Sequence, residues 1–383
     1  MKKVSILTMV VMLCMMCVPG SAMADSRLYS IAELPAHTTS HWQQTYEAYG
    51  RTIDVNVEVE IPNVSSAPVI TVRRAAPIAE PLNSELKAWY KQAEKEDRVN
   101  SYYYLSNDFS TNFTHAVPPA WGEDRDSEFV VGAMSQRMQD LYDYDLGTPY
   151  AENNPLTVGE AIDLFQQRVA EYFPNEKLHL RTVYVTSRSY WKKNNQPISE
   201  KGYYSFNMSQ TFHGIPFMAS VHEAFTQFSV GNEDIWLECR GVARGSVHDE
   251  NAWSFNACFY QESGVVYKDI PLLPFDAVKG AVEELILSGH VRWIDSVSLG
   301  YVQFDASNPD EQVLVPCWVV WCEYHPGGAR SERSGGKNSS SNLMYDGNND
   351  YYRPLIINAQ TGEMIDPEND SVGRCLCPPI KTK

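Results

Sequence analysis

Basic residues are scarce in this chain. Thirty-one Lys and Arg stand against 48 Asp and Glu, a formal net charge of −17. That balance repels phosphate backbones and anionic lipid surfaces, so nucleic acid is excluded as a partner. Long apolar runs are also missing beyond Val18, and no later stretch reaches the roughly 20 residues that cross a bilayer as a helix. The fingerprints of common enzymes are absent as well. There is no GxSxG elbow, Walker loop or dinucleotide fingerprint, and the glycines at Gly335-Gly336-Lys337 lack the spacing that cradles phosphate. His222-Glu223 is followed by Thr226 where a zinc helix needs its second histidine. Asp346, Asn348 and Asp350 open like a calcium loop, but Tyr351 replaces the obligatory glycine and Ile357 the bidentate glutamate. What stays open there is a looser calcium site or a plain acidic turn. His248-Asp249-Glu250 reads as a solvated hairpin tip. No metal, cofactor or catalytic residue is assigned.

What is present begins with an export signal. Lys2 and Lys3 precede an apolar run from Val4 to Val18, and Ala22-Met23-Ala24 places small residues where a signal peptidase needs them. Cleavage after Ala24 leaves a secreted or envelope-located mature chain with no membrane span, more acidic than the precursor because Lys2 and Lys3 leave with the leader. Cys14 and Cys17 follow the bulky Leu13 and Met16, which argues against lipid attachment. Six cysteines remain: Cys239, Cys258, Cys317, Cys322, Cys375 and Cys377. In an oxidising compartment an even number makes them disulfide candidates, with about 15 possible pairings. Cys239 and Cys258 flank the turn near Val247 to Asp249 symmetrically, so a hairpin there would oppose them. Two buried thiols are the alternative.

Periodicity organises the rest. Ile53 to Ile61 alternates apolar and polar residues as a half-buried strand does, and Ala67 to Arg73 reads as its return strand. Helical spacing marks Leu82 to Ala93 and Phe129 to Tyr142. Thr157 with Glu160 forms a capping box ahead of a helix with Val158, Ala161, Ile162, Phe165, Val169 and Tyr172 on one face. Strands follow at Lys177 to Thr186, Tyr203 to Phe212 and Ile215 to His222, with His213-Gly214 as a tight turn. A further hairpin pairs Ile235 to Val242 with Trp253 to Tyr260.

A second helix starts after Pro274 and stops at Gly289, and strands come next at Ser296 to Phe304, Val313 to Cys322 and from Leu355. Pro316 inside an otherwise apolar strand implies a bulge or an unpaired stretch of edge. Residues 325–351, rich in Gly, Ser and Asn, form a flexible insertion. Tyr102, Tyr103, Tyr104, Trp121, Tyr190 and Trp191 make either core or a carbohydrate or peptide platform.

The two blocks, LTVGEAIDLFQQRVAEYF with YYSFNMSQTFHGIPF, and FDAVKGAVEELI with VLVPCWVVW and PLIINAQTGEMID, resemble PepSY-type modules. The likeness is strongest to the extracytoplasmic YycH and YycI regulators, on HGIP and on the closing turn NAQTGEMID, and secreted proteins of Gram-positive bacteria look similar from end to end. The resemblance implies an α+β fold. An N-terminal α+β domain (25–154) is followed by two PepSY-like units (155–262 and 263–383), each a helix packed on an antiparallel sheet. It also implies binding or inhibition, not catalysis. A regulatory binding role toward an extracytoplasmic protein, through sheet edges by strand addition or through the acidic surface, is the expected function. The alternative is an extracytoplasmic hydrolase or protease inhibitor using a cleft between the units.

Overall fold

The computed structural model describes residues 27–75, 102–105, 111–115, 129–139, 145–151, 153–192, 197–220, 241–250, 252–306, 308, 311–325 and 352–365. In chain order its strands begin with β1 (His41–Ala48), β2 (Arg51–Glu60), β3 (Val69–Arg74), β4 (Tyr102–Leu105), β5 (Thr111–His115) and β6 (Phe129–Gln139). After helix α1 (Val158–Tyr172) come β7 (Leu178–Lys192), β8 (Pro197–Phe212), β9 (Ile215–Ser220), β10 (Val242–Asp249), β11 (Ala252–Cys258) and β12 (Tyr260–Tyr267). Helix α2 (Phe275–Leu287) precedes β13 (Val291–Asp305), β14 (Glu311–Tyr324) and β15 (Tyr352–Asn358).

The α+β expectation is overturned. Among the described residues all fifteen strands belong to one sheet that curls toward a barrel, and there are two α-helices. One stretch of ladder runs β6-β7-β8-β10-β11-β5-β4, antiparallel throughout. A second runs β12-β3-β14-β13, with β15 also on β14 and with β2 and β9 lying parallel to β13. The β8–β9 hairpin joins the two through two residue pairs.

Three particular readings fail with the fold class. Phe129 to Gln139, expected as helix, pairs along β7 as strand. The segment after Pro62 does not return along β2 but inserts between β12 and β14, while β2 takes β1 as its partner. The hairpin of β10 and β11 places Cys258 opposite Val242, three residues beyond Cys239. The common reason is that backbone donors and acceptors at every strand edge need partners, and distant segments supply them. Periodicity records which face a residue takes. It carries no record of the neighbouring strand.

Local signals held where the residues that make them are close in sequence. Glu160 N–H donates to Thr157 Oγ1 at 3.2 Å, and Thr157 N–H donates to Glu160 Oε2 at 2.9 Å, the reciprocal box that opens α1. Its face of Val158, Ala161, Phe165 and Val169 is buried against β8 and β10. Phe165 lies 5.1 Å from Phe206, ring centroid to centroid. Beneath it Gly245 has no room for a side chain, since a Cβ would sit 1.9 Å from the Ser254 carbonyl oxygen.

His213 and Gly214 both take positive φ, 52° and 81°, and close the β8–β9 turn. Gly289 at φ 77° follows the end of α2. Pro316 sits where the outer neighbour of β14 changes: β3 pairs through Leu314, and β15 takes over from Cys317. The missing N–H therefore falls in the gap between two ladders.

Helix α2 is held between the β1–β2 hairpin and the β13–β14 part of the sheet. Phe275 links the two sides, 5.5 Å from Trp42 and 5.4 Å from Trp318. No helix among the described residues is long and apolar enough to cross a membrane.

Candidate interaction edge

Strand β1, HWQQTYEA, carries only Trp42, Tyr46 and Ala48 as buried residues. They line one face and seat the hairpin on α2. Tyr46 Oη donates to Glu283 at 2.8 Å, Lys279 lies 5.8 Å from the Trp42 ring, and Asp276 accepts from Thr39 N–H and Oγ1 at 2.6 and 2.9 Å. Burial, with help from Glu283, pushes the Tyr46 hydroxyl well above its ordinary range. The strand is thus tied to a helix along its length.

Tyr49 and Gly50, at φ 53° and 73°, make the two-residue turn into β2. Such a turn makes Ala48 and Arg51 a hydrogen-bonded pair, and Val59 N–H donating to Ser40 O at 2.8 Å fixes the same phase at the other end. Trp42, Gln44, Tyr46 and Ala48 therefore direct their backbone groups to β2. Those of His41, Gln43, Thr45 and Glu47 point away from it. The register runs unbroken from His41↔Glu58 to Ala48↔Arg51, and among the described residues β1 pairs with β2 alone.

The solvent face of the hairpin is polar and tied across the strands. His41 Nδ1 lies 2.8 Å from Glu58 Oε1 and its Nε2 lies 2.7 Å from Asn56 Oδ1. Oxygens on both ring nitrogens call for two N–H donors, and the bonds to Asn56 and then Glu58 hold the imidazole pKa above its usual value. Thr45 Oγ1 donates to Asp54 at 2.6 Å, and Thr52 Oγ1 donates to Glu47 at 2.9 Å.

A second polar region lies on the β7–β8–β10 face turned away from α1. Thr182, Asn207 and Arg244 stand side by side across those strands. Register shifts release Arg181 of β7 and Asp295 of β13 from regular pairing, and such bulges re-aim side chains. Arg181 Cζ then sits 4.9 Å above the Trp321 ring, bridging the two stretches of ladder. Burial pushes the nearby Tyr184 hydroxyl up to about 12 and the His179 imidazole down, the latter helped by the Arg181 charge.

The cysteine candidates separate. Cys317 and Cys322 are buried on β14, an odd number of residues apart and so on opposite faces, with roughly 16 Å of strand between them. They cannot bridge each other. Cys258 is buried at the end of β11, and Cys239, Cys375 and Cys377 lie outside the described residues. His248 is buried, not solvated: its ring stacks on Tyr203 at 4.2 Å and its Nε2 lies 3.1 Å from Ser246 Oγ. Among the described residues no group of His, Cys, Asp or Glu could hold a metal ion.

His222 to Thr226, Asp346 to Asp350, residues 326–351, the helix at Leu82 to Ala93 and Trp121 fall outside the described residues. So do the side chains of Tyr102 to Tyr104, Tyr190 and Trp191. Sequence reasoning missed β1 because its apolar positions are few. The signal that marks it is Tyr49-Gly50 ahead of the alternating run in β2.

No family model matches this chain, and no curated protein matches it. Among solved structures it is similar to the crystal structure of an uncharacterized protein from Eubacterium rectale ATCC 33656. Identity is 13% and the TM-score 0.49, over 88% of this chain and 96% of that one.

Proposed function

We propose that this is an exported, non-enzymatic binding protein of the cell envelope that docks an extended protein segment on edge β1 by strand addition. The observation that carries the reading is the edge itself: eight residues without a bulge, fixed on α2, with alternate backbone groups directed outward. Strand addition needs such a template, because main-chain hydrogen bonds supply the affinity and alternate side chains the selectivity. The leader of Lys2, Lys3 and the apolar run to Val18 supports export, and the acidic balance supports a protein partner over nucleic acid.

The test is a photo-crosslinking side chain placed at Thr45 and, separately, at Val266 on β12, in intact cells. Protein adducts at position 45 that vanish with Gln43→Pro, and none at position 266, support the reading. Adducts indifferent to Gln43→Pro, or equal at both positions, overturn it.

A further inference from the structure

The outward groups of β1 form a strand that matches itself. Consider two copies of β1 placed antiparallel about a two-fold axis at Gln44. His41 then faces Glu47 of the second copy, Gln43 faces Thr45, and both relations repeat by symmetry. All four residues whose N–H and C=O point away from β2 then meet an outward-pointing residue of the other copy, as alternation in an antiparallel ladder requires. Shifting the register by two residues in either direction leaves one outward residue of each copy without a counterpart.

Side chains agree with that register. His41, already facing Asn56 and Glu58, meets the Glu47 carboxylate of the other copy on the solvent face, and its raised pKa favours the charged ring there. Charge alternates along that face as Glu58, His41, then Glu47 of the second copy. On the opposite face Trp42 meets Tyr46. Lys279 lies beside Trp42, and Glu283, bonded to Tyr46, pairs with Lys279 within α2 at 3.5 Å, so the helix brings no unpaired charge of one sign to the contact. An isologous contact must be self-complementary, and this one is so in backbone, charge and aromatic pairing at once.

We infer that the extended segment docked on this edge is β1 of a second copy, giving a two-fold dimer with a continuous sheet across the interface. The inference rests on the docking reading above and names its partner.

The mature chain can be tested by sedimentation and by a symmetric crosslink. Gln44→Cys places two thiols opposite each other in a non-hydrogen-bonded pair, with Cβ atoms about 4.5–5.5 Å apart. Under mild oxidation it should give a covalent dimer, whereas Gln43→Cys and Thr45→Cys, which do not face their own copies, should give little. Gln43→Pro removes one outward donor from each copy, two bonds by symmetry, and should weaken the dimer at least ~10-fold. The covalent Gln44→Cys dimer keeps the inference testable should the proline variant fold poorly.

A chain that stays monomeric at every concentration, or a dimer formed equally well with Gln43→Pro and uncrosslinked through Gln44→Cys, overturns the inference. A monomer whose adducts at position 45 are to a different protein and still vanish with Gln43→Pro overturns only self-pairing. The docking reading would then stand.

Discussion

Strands β1 and β12 are each eight residues long and each has one pairing partner among the described residues, yet they are opposite kinds of edge. The register of β1 is continuous along β2. That of β12 against β3 breaks twice, between Glu262 and Gly264 and between Val265 and Tyr267. Bulges twist an edge and interrupt its row of backbone groups, a common protection against unwanted pairing. The more apolar edge, with Val265 48% and Val266 47% exposed, is the irregular one. The regular edge is polar outside and anchored by Trp42 and Tyr46 inside. The proposed docking edge is thus marked by regular backbone geometry and not by exposed hydrophobicity.

The comparison breaks most sharply if β1 leaves α2. Trp42→Ala removes a buried indole from between Phe275 and Lys279 and should cost about 3–5 kcal/mol in denaturant unfolding. Gln44→Pro comes next. It removes a donor directed at β2 and leaves a carbonyl of Val55 without its partner, a loss of about 1–3 kcal/mol. Gln43→Pro, one residue away with its N–H pointing outward, should stay within ~1 kcal/mol of wild type. An equal loss from both prolines would mean that the phase assigned to β1 is wrong. Val266→Thr on β12 should change stability by less than ~0.5 kcal/mol and leave association unchanged.

A smaller effect sharpens the contrast through pH. The folded-state pKa of His41 is raised above 6.5, so its bonds to Asn56 and Glu58 contribute fully below that value. Their contribution fades as pH rises through the raised pKa. Hairpin stability should therefore decline modestly as pH rises above 6.5, and His41→Gln should flatten that decline in thermal unfolding measured across pH.

Much of the local structure was legible. The alternation from Ile53, the Thr157–Glu160 box, the His213-Gly214 turn and the stop at Gly289 each depend on residues near one another in the chain, and each appears where the sequence places it. Pro316 was legible as a gap, though not as the point where β3 gives way to β15. Strand partnership was not legible. The apolar spacing of Phe129 to Gln139 fitted a helix, yet pairing with β7 made it a strand. The return strand expected beside β2 paired instead with β12 and β14, because two alternating runs close in sequence need not be close in a sheet. The candidate edge was the least visible part. The docking proposed for it would reside in main-chain groups, which every residue carries and no side-chain pattern announces.

Residue-resolved amide hydrogen exchange on the dilute mature chain tests the central claim most directly. Exchange should alternate along β1, slow at Trp42, Gln44, Tyr46 and Ala48 and fast at Gln43, Thr45 and Glu47, with the fast set protected only when the edge is occupied. Uniform protection of all these amides in the dilute monomer would show the edge already covered by the chain itself, and would contradict it.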